Sequence, residues 1–313
     1  MESIRWSEGC LYILDQRALP HTTDWLEIRT WESAAEAISS MAVRGAPAIA
    51  ITAGYGMALA IRSHADRNAA HIGLLAARPT AVNLEWALKR IQTVPDSEVE
   101  REAIAIHRED RDVCQRLGDH GAHLLNGGVL TICNTGSLAT GGQGTALGMV
   151  RSAIALGQTV HVYAMETRPY LQGARLTAFE CAADNIPVTL LSDGMAGALM
   201  NTGTIDAVVV GCDRVAINGD TANKIGTYGL AVLAAHHGIP FYVAMPMPTL
   251  DPACPNGDRI EIEQRPASEL RQLAGTAIAP NEVNVWNPGF DITPAQLITA
   301  WVTEEGPWTP TRL

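Results

Sequence analysis

Two reactive side chains, Cys133 and Asp213, come at the ends of apolar segments that have the composition of buried β-strands. Asp213 closely follows the run Ala-Val-Val-Val at 207–210, and Cys133 ends the segment 129–133. A carboxyl group beside a buried strand end is costly to keep there unless it has a partner or a chemical task. A thiol and a carboxyl group placed in this way indicate acid–base chemistry on a small molecule.

Each group also has a structural interpretation, which the residues alone leave open. A buried cysteine is more often packing than chemistry, although the glycine-rich stretch 140–145 after Cys133 offers backbone N–H groups for an anion. Asp213 could simply pair with Arg214 or cap a loop. The dense polar segment 214–224, which we predict to be a loop, favours a functional role for Asp213.

Further candidates are basic, amide or small residues next to predicted helices and strands. Arg44, Gly45 and Ala46 precede an apolar helix, where backbone amides favour anions, or they are an ordinary helix start. Arg78 precedes another helix and could be a plain loop arginine. The remaining candidates are Gln172, Asn223 and Lys224. They could bind the hydroxyl or phosphate groups of a sugar. Their structural interpretation is a helix cap, an ion pair or a surface cation.

Strands and helices alternate after residue 126, and this alternation predicts an α/β fold with a parallel sheet covered by helices on both faces. The predicted strands are 129–133, 160–164, 188–191, 207–211 and 241–244. Before residue 126, a short β element at 6–14 is followed by helical patterns at 33–41, 47–62, 83–93 and 98–125. We therefore predict a mainly helical domain, 1–125, and a catalytic domain, 126–313, with ligands at the carboxyl ends of its strands.

Composition restricts the classes of partner. The 313-residue chain has a net charge of −11, which opposes binding to nucleic acid or to anionic membranes. Its six scattered cysteines form no Cys-x-x-Cys pair and fit a reducing cytoplasm. We expect no signal peptide, no transmembrane segment and no metal site.

One pattern favours a nicotinamide cofactor. Gly142-Gln143-Gly144 follows a predicted strand, and Glu166 lies where a ribose-binding acid would. Leu147 stands where the third glycine of the fingerprint belongs, so the pattern is incomplete. We therefore do not expect a dinucleotide cofactor.

Taken together, these motifs resemble the methylthioribose-1-phosphate isomerase family, which shares ancestry with regulatory subunits of initiation factor 2B. The likeness covers nearly the whole chain. The segments that carry it are 41–49, 77–84, 133–140, 166–175, 213–229 and 287–294.

The resemblance implies Cys133 and Asp213 as the catalytic pair. It also implies substrate contacts from Arg44, Gly45, Ala46, Arg78, Gln172, Asn223 and Lys224. The family fold is a small helical N-terminal domain and a Rossmann-like C-terminal domain. By the same resemblance we expect a cytoplasmic homodimer that uses no cofactor.

The activity implied by the resemblance is an aldose–ketose isomerisation in methionine salvage, from 5-methylthioribose 1-phosphate to 5-methylthioribulose 1-phosphate. The chain departs from the family at Ala50, Thr135, Cys212 and the segment 245–249. These departures bear on the pocket for the 5-substituent, so 5-deoxyribose 1-phosphate and ribose 1,5-bisphosphate stand as alternative substrates. A non-catalytic regulatory protein and a nicotinamide-dependent oxidoreductase are the alternatives from other classes.

Overall fold

A computed structural model describes residues 1–79 and 81–310 of the chain. Thr80 belongs to a segment that carries the family resemblance, and residues 311–313 belong to the predicted catalytic domain. These four residues lie outside the described structure. The helices are α1 (Trp31–Ser39), α2 (Ala46–Arg62), α3 (Arg67–Ala76), α4 (Val82–Gln92), α5 (Val99–Gly121), α6 (Ala146–Ala155), α7 (Ala178–Ala183), α8 (Ala196–Met200), α9 (Thr227–His237) and α10 (Ser268–Arg271).

The strands form four sheets, of which the largest carries the site described below. In chain order they are β1 (Ile4–Ser7), β2 (Cys10–Leu14), β3 (Trp25–Ile28), β4 (Gly127–Thr131), β5 (Val160–Met165), β6 (Val188–Leu191), β7 (Ala207–Val210), β8 (Arg214–Ala216), β9 (Thr221–Lys224), β10 (Phe241–Ala244), β11 (Leu250–Asp251), β12 (Gln272–Leu273), β13 (Thr276–Ala277), β14 (Phe290–Thr293), β15 (Ala300–Thr303) and β16 (Gly306–Trp308).

The large sheet has the strand order β6-β5-β4-β7-β10-β15-β16. All neighbours pair in parallel except the edge pair β15–β16, which is antiparallel. Counted along the chain, its six parallel strands follow the order 3-2-1-4-5-6 of the doubly wound fold. The α/β class predicted from the alternation of strands and helices is therefore confirmed.

The order reverses between β4 and β7, which makes their carboxyl ends the switch point where ligands bind in such sheets. Val129 and Leu130 of β4 pair with Ala207 and Val208 of β7. Both strands are almost entirely buried and aliphatic, as expected for a sheet covered on both faces. This pairing brings the segments that begin with Cys133 and Asp213 to one place on the sheet edge.

The helices before β4 pack around α2, whose residues 48–60 are all buried. Many of these residues are alanine or glycine, so neighbouring helices approach closely; a Cβ added at Gly56 would lie 2.9 Å from Leu74. Helix α5 contributes to the core around α2 through Ile106 and to the core beside the large sheet through Leu117. The predicted domain boundary near residue 126 stays a prediction.

Several predicted elements differ from the observed ones. The segment 214–224, predicted as a polar loop, contains β8 and β9, which join β11 and β14 in a small sheet beside the site. The strand predicted at 129–133 is β4 and ends two residues earlier, because Cys133 has a positive φ of 67°. Helices α3 and α10 and strands β3 and β11–β16 were also absent from the prediction. In the described residues no helix is both long and apolar enough to cross a membrane.

One buried carboxylate organises the loop after β4. Glu180 is fully buried on α7, and its oxygens accept hydrogen bonds from Asn134 Nδ2 at 2.8 Å and from the Ser137 N–H at 2.7 Å. The Leu138 N–H donates a third bond at 3.2 Å, and Arg151 Nη2 lies 2.9 Å from Oε2. This satisfied, charge-paired group holds 134–138 in one conformation.

Replacing Glu180 tests whether this carboxylate stabilises the loop. We expect Glu180→Ala to lower the free energy of unfolding by about 3–5 kcal/mol, because the Arg151 charge and the loop amides lose a buried partner. Asp184 also pairs with Arg151 but is 26% exposed, so Asp184→Ala should cost about 1 kcal/mol or less. Urea denaturation measures both variants, and equal losses would contradict the assignment.

Candidate active site

A cleft of about 1180 Å³ opens at the switch point, and Cys133 and Asp213 both line it. A smaller cavity of about 440 Å³ adjoins it and shares the same two residues in its wall. The wall common to both cavities also includes Arg44, Gly45 and Ala46. The thiol and the carboxyl group therefore face one continuous space.

All nine residues singled out in the sequence lie around this space. Eight of them line the larger cleft, and Asn223 lines the smaller cavity. Their chemical roles remain predictions. The eight are Arg44, Gly45, Ala46, Arg78, Cys133, Gln172, Asp213 and Lys224.

Cys133 is held in a left-handed backbone conformation that is uncommon for a residue with a side chain. Its N–H donates to Thr167 Oγ1 at 2.9 Å, and its carbonyl accepts from Thr177 Oγ1 at 2.6 Å. Gln172 Nε2 lies 3.4 Å from the sulfur. Asp193 in turn accepts the N–H of Thr167 at 2.8 Å. These contacts maintain the conformation, which makes the thiol 7% exposed at the cleft wall.

Asp213 is half-buried, and its backbone N–H donates to the Ala222 carbonyl at 2.9 Å. Burial raises the pKa of its carboxyl group above the ordinary value of an aspartate, whereas the charges of Lys224, Arg44 and Arg78 act to lower it. Burial is the larger effect. A carboxyl group in this environment is better able to donate a proton than an exposed one.

Three cations converge on the cleft from different elements. Arg44 donates to Asn134 Oδ1 at 2.7 Å and to the Asn134 carbonyl at 2.9 Å, so the loop held by Glu180 orients this guanidinium. Lys224 Nζ donates to the Gly289 carbonyl at 2.7 Å, and burial lowers the pKa of its amine. Arg78 lies 3.5 Å from Glu263. This density of positive charge suits an anionic ligand.

The start of α2 supplies backbone donors to the same region. Gly45 has a φ of 98°, and a Cβ at this position would lie 2.6 Å from Ala139 Cα, so only glycine fits. The first N–H groups of a helix have no partner within the helix. Those of α2 begin at Ala46, in the wall of both cavities, although Pro47 has no N–H, and such donors beside Arg44 favour an anion.

Two amide side chains complete the polar wall. Gln172 is 2% exposed, and within the described residues its Oε1 atom has no hydrogen-bond partner. A buried acceptor without a donor is costly, so a ligand hydroxyl group would stabilise it. Asn223 is also buried and donates from Nδ2 to Thr227 Oγ1 at 3.0 Å.

Sequence reasoning missed a charged cluster at the rim of the cleft. Arg265 donates to Glu263 at 2.8 Å and to Glu269 at 2.5 Å, and Asn287 lies beside them. The alternation of acidic and basic residues at 261–269 was the available signal. Thr167 and Thr177 were also missed as supports of Cys133. Over the residues described, no group of three or more side chains could hold a metal ion.

Comparison with known proteins gives a consistent family. The model of the initiation factor 2 subunit family matches residues 42–310. A methylthioribose-1-phosphate isomerase from Alcanivorax borkumensis is 55% identical, over 97% of this chain and 92% of the relative. The solved 5-methylthioribose 1-phosphate isomerase from Pyrococcus horikoshii superposes with a TM-score of 0.92 at 41% identity, covering 99% and 92% of the two chains.

A third similarity is to a solved chain described as translation initiation factor eIF-2B, subunit delta, from A. fulgidus. Its TM-score is 0.87 at 42% identity, and the match covers 99% of this chain and 96% of that one. The resemblance drawn from the motifs is thus confirmed, and the chain belongs to the initiation factor 2 subunit family.

Proposed function

We propose that this protein is an isomerase that converts 5-methylthioribose 1-phosphate to 5-methylthioribulose 1-phosphate. Relatives 50–55% identical over nearly the whole chain are named methylthioribose-1-phosphate isomerase. The observation that carries the proposal is the placement of a thiol, Cys133, and a carboxyl group, Asp213, at the switch point with three cations around them.

The phosphate group binds among Arg44, Arg78 and Lys224. The amides at the start of α2 face the same region and add hydrogen-bond donors without mobile charges. Asn223 lines the adjoining cavity and contributes an amide. Gln172 accepts a hydrogen bond from a sugar hydroxyl through its unpartnered Oε1.

Asp213 opens the ring. A sugar that carries phosphate on C1 cannot open spontaneously to a free aldehyde, so the bond between C1 and the ring oxygen must break with the phosphate retained. Asp213 donates a proton to the ring oxygen as this bond breaks, and the ring oxygen becomes a hydroxyl group. Burial raises the pKa of Asp213, which keeps the proton available for the transfer.

Cys133 serves the transfer of hydrogen from C2 to C1. In a proton route, the thiolate removes the C2 proton to give an enediol, and the resulting thiol returns that proton to C1. In a hydride route, the C2 hydrogen moves directly to C1 together with its bonding electron pair, and the Cys133 sulfur lies beside the path of transfer. In either route the O2 proton leaves, C2 becomes a carbonyl carbon, and the Asp213 carboxylate accepts that proton. Exclusion of water strengthens the local electrostatics in both routes.

The geometry disfavours the nicotinamide alternative. The N–H of Gly141 donates to Asp110 Oδ2 at 2.6 Å, and that of Gly142 donates to Thr140 Oγ1 at 3.2 Å. The amide of Gly142, the first glycine of the pattern, and that of the preceding Gly141 are therefore already used by the protein. We also assign the protein to the cytoplasm, because all six cysteines are free.

Isomerase activity is tested by following ketose 1-phosphate formation by NMR without added cofactor. We expect Asp213→Asn and Cys133→Ala each to lower the rate about 10²–10⁴-fold, the usual range for loss of a proton-transfer group. Asp258→Asn, a change at an exposed residue that lines neither active-site cavity, should keep the wild-type rate. 5-Deoxyribose 1-phosphate and ribose 1,5-bisphosphate are assayed in parallel to rank the substrates.

Near-full activity in either active-site variant would contradict the assigned roles. Failure of the wild type to convert any of the three sugars would favour a non-catalytic binding protein. The similarity to the A. fulgidus chain described as an eIF-2B subunit is the observation behind this second candidate.

The protein is further proposed to be a homodimer that associates through α8 and α9. Helix α9 is apolar on nearly every side, yet Tyr228 and Val232 are 46% and 42% exposed. A helix of this kind is normally buried. Met195, just before α8, is 54% exposed, and α8 packs against α9. The family resemblance implies a homodimer, and we assign its interface to this exposed apolar surface.

Light scattering tests the dimer. The wild type should have about twice the chain mass of 33.4 kDa, and Val232→Glu should have the mass of one chain because it places a charge in the interface. Ile72→Glu changes a more exposed apolar residue on α3 and should stay dimeric. A monomeric wild type, or a dimeric Val232→Glu, would overturn this assignment.

A further inference from the structure

A second cavity of about 820 Å³ lies between α2, α4, α5 and the loops after β10 and β15. Pro47 and Pro246 separate it from the substrate cavity, since both residues line both spaces. None of the side chains that line only this second cavity takes part in the proposed isomerase mechanism.

This cavity presents unpaired carboxyl groups, whereas the substrate cleft presents cations. Four acidic residues line it, and two of them, Asp110 and Glu304, have no lysine or arginine within 4 Å in the described part of the chain. Arg116 lines the cavity but is exposed, and Glu109 at the rim is paired with Arg90 at 2.8 Å. Buried carboxylates without a counterion are unfavourable.

The two carboxyl groups are partly satisfied by backbone donors. Asp110 Oδ2 accepts the Gly141 N–H at 2.6 Å, and Glu304 accepts the Met247 N–H at 3.0 Å. Burial raises the pKa of Asp110 to about 6, and the nearby charge of Glu304 acts in the same direction. A cation placed between them would therefore be favoured over water.

Asn83 supplies an independent sign of a missing ligand. It is 5% exposed and lines the cavity, and its Oδ1 atom has no hydrogen-bond partner among the described residues. An unpartnered buried acceptor requires a donor. Apart from the charged residues, which include the exposed Asp112, the rest of the wall is mainly apolar, with Trp86, Ile51 and Ile106 as its largest members.

We propose that this cavity is a second ligand site, which binds an organic ammonium ion with an apolar body. The ammonium N–H groups donate to Asp110, Glu304 and Asn83 Oδ1. The apolar body packs on Ile51 and Trp86. A metal ion is the poorer occupant, because the described residues offer no cluster of three metal-ligating side chains here.

Calorimetric titration with benzylammonium chloride tests the site on the full-length protein. Benzyl alcohol and benzoate are matched probes of the same size that are neutral or negative. We expect benzylammonium to bind at least about tenfold more tightly than benzyl alcohol and benzoate not to bind, as charge-assisted hydrogen bonds imply. Equal affinities for benzylammonium and benzyl alcohol would overturn the proposal.

Variants locate the binding. Glu304→Gln keeps an oxygen for the Met247 N–H but removes the charge, and it should weaken benzylammonium binding about tenfold with little effect on benzyl alcohol. Asn83→Ala removes the unpartnered acceptor and should also weaken benzylammonium binding. Lys224→Met changes the substrate cleft and should leave binding unchanged. Unaltered affinity in both Glu304→Gln and Asn83→Ala, or a large change in Lys224→Met, would contradict the site.

Discussion

The parallel pairing of β4 with β7 is the interaction on which the rest of the site depends. It places Cys133 and Asp213 side by side, although 79 residues separate them in the chain. The intervening residues form further strands and helices. Glu180 then holds the loop after β4, and through Asn134 it orients Arg44 from the helical part of the chain. Backbone pairing and one buried carboxylate thus join the two halves of the site.

Opposing electrostatic effects set the chemistry of the cleft. Burial favours a protonated Asp213, while three cations favour its carboxylate, and we propose that the same cations hold the phosphate of a substrate. The same group can therefore donate a proton and accept one back within a reaction cycle. A substrate phosphate would offset the neighbouring positive charges and favour the protonated acid further. Phosphate binding and proton donation are coupled in this account.

Much of the fold could be predicted from the sequence because its signals are local. Aliphatic runs alternating with helical patterns indicate a parallel sheet, and polar residues after those runs mark its functional edge. The end of β4 could not be predicted, since the left-handed conformation of Cys133 is maintained by Thr167 and Thr177, which are distant in the chain. Strands β8 and β9 were missed because their short polar sequences pair only in the folded protein.

The pKa of Asp213 is the measurement that tests the central claim most directly. A ¹³C NMR titration of labelled aspartate, with Asp213→Asn identifying the resonance, should give a pKa above the unfolded value of about 3.9. By linkage, the stability of the wild type relative to Asp213→Asn is then highest below that value and falls as the pH rises through the folded-state pKa. A pKa at or below about 3.9 would contradict the account, because the three cations would then outweigh burial and Asp213 would not remain an acid.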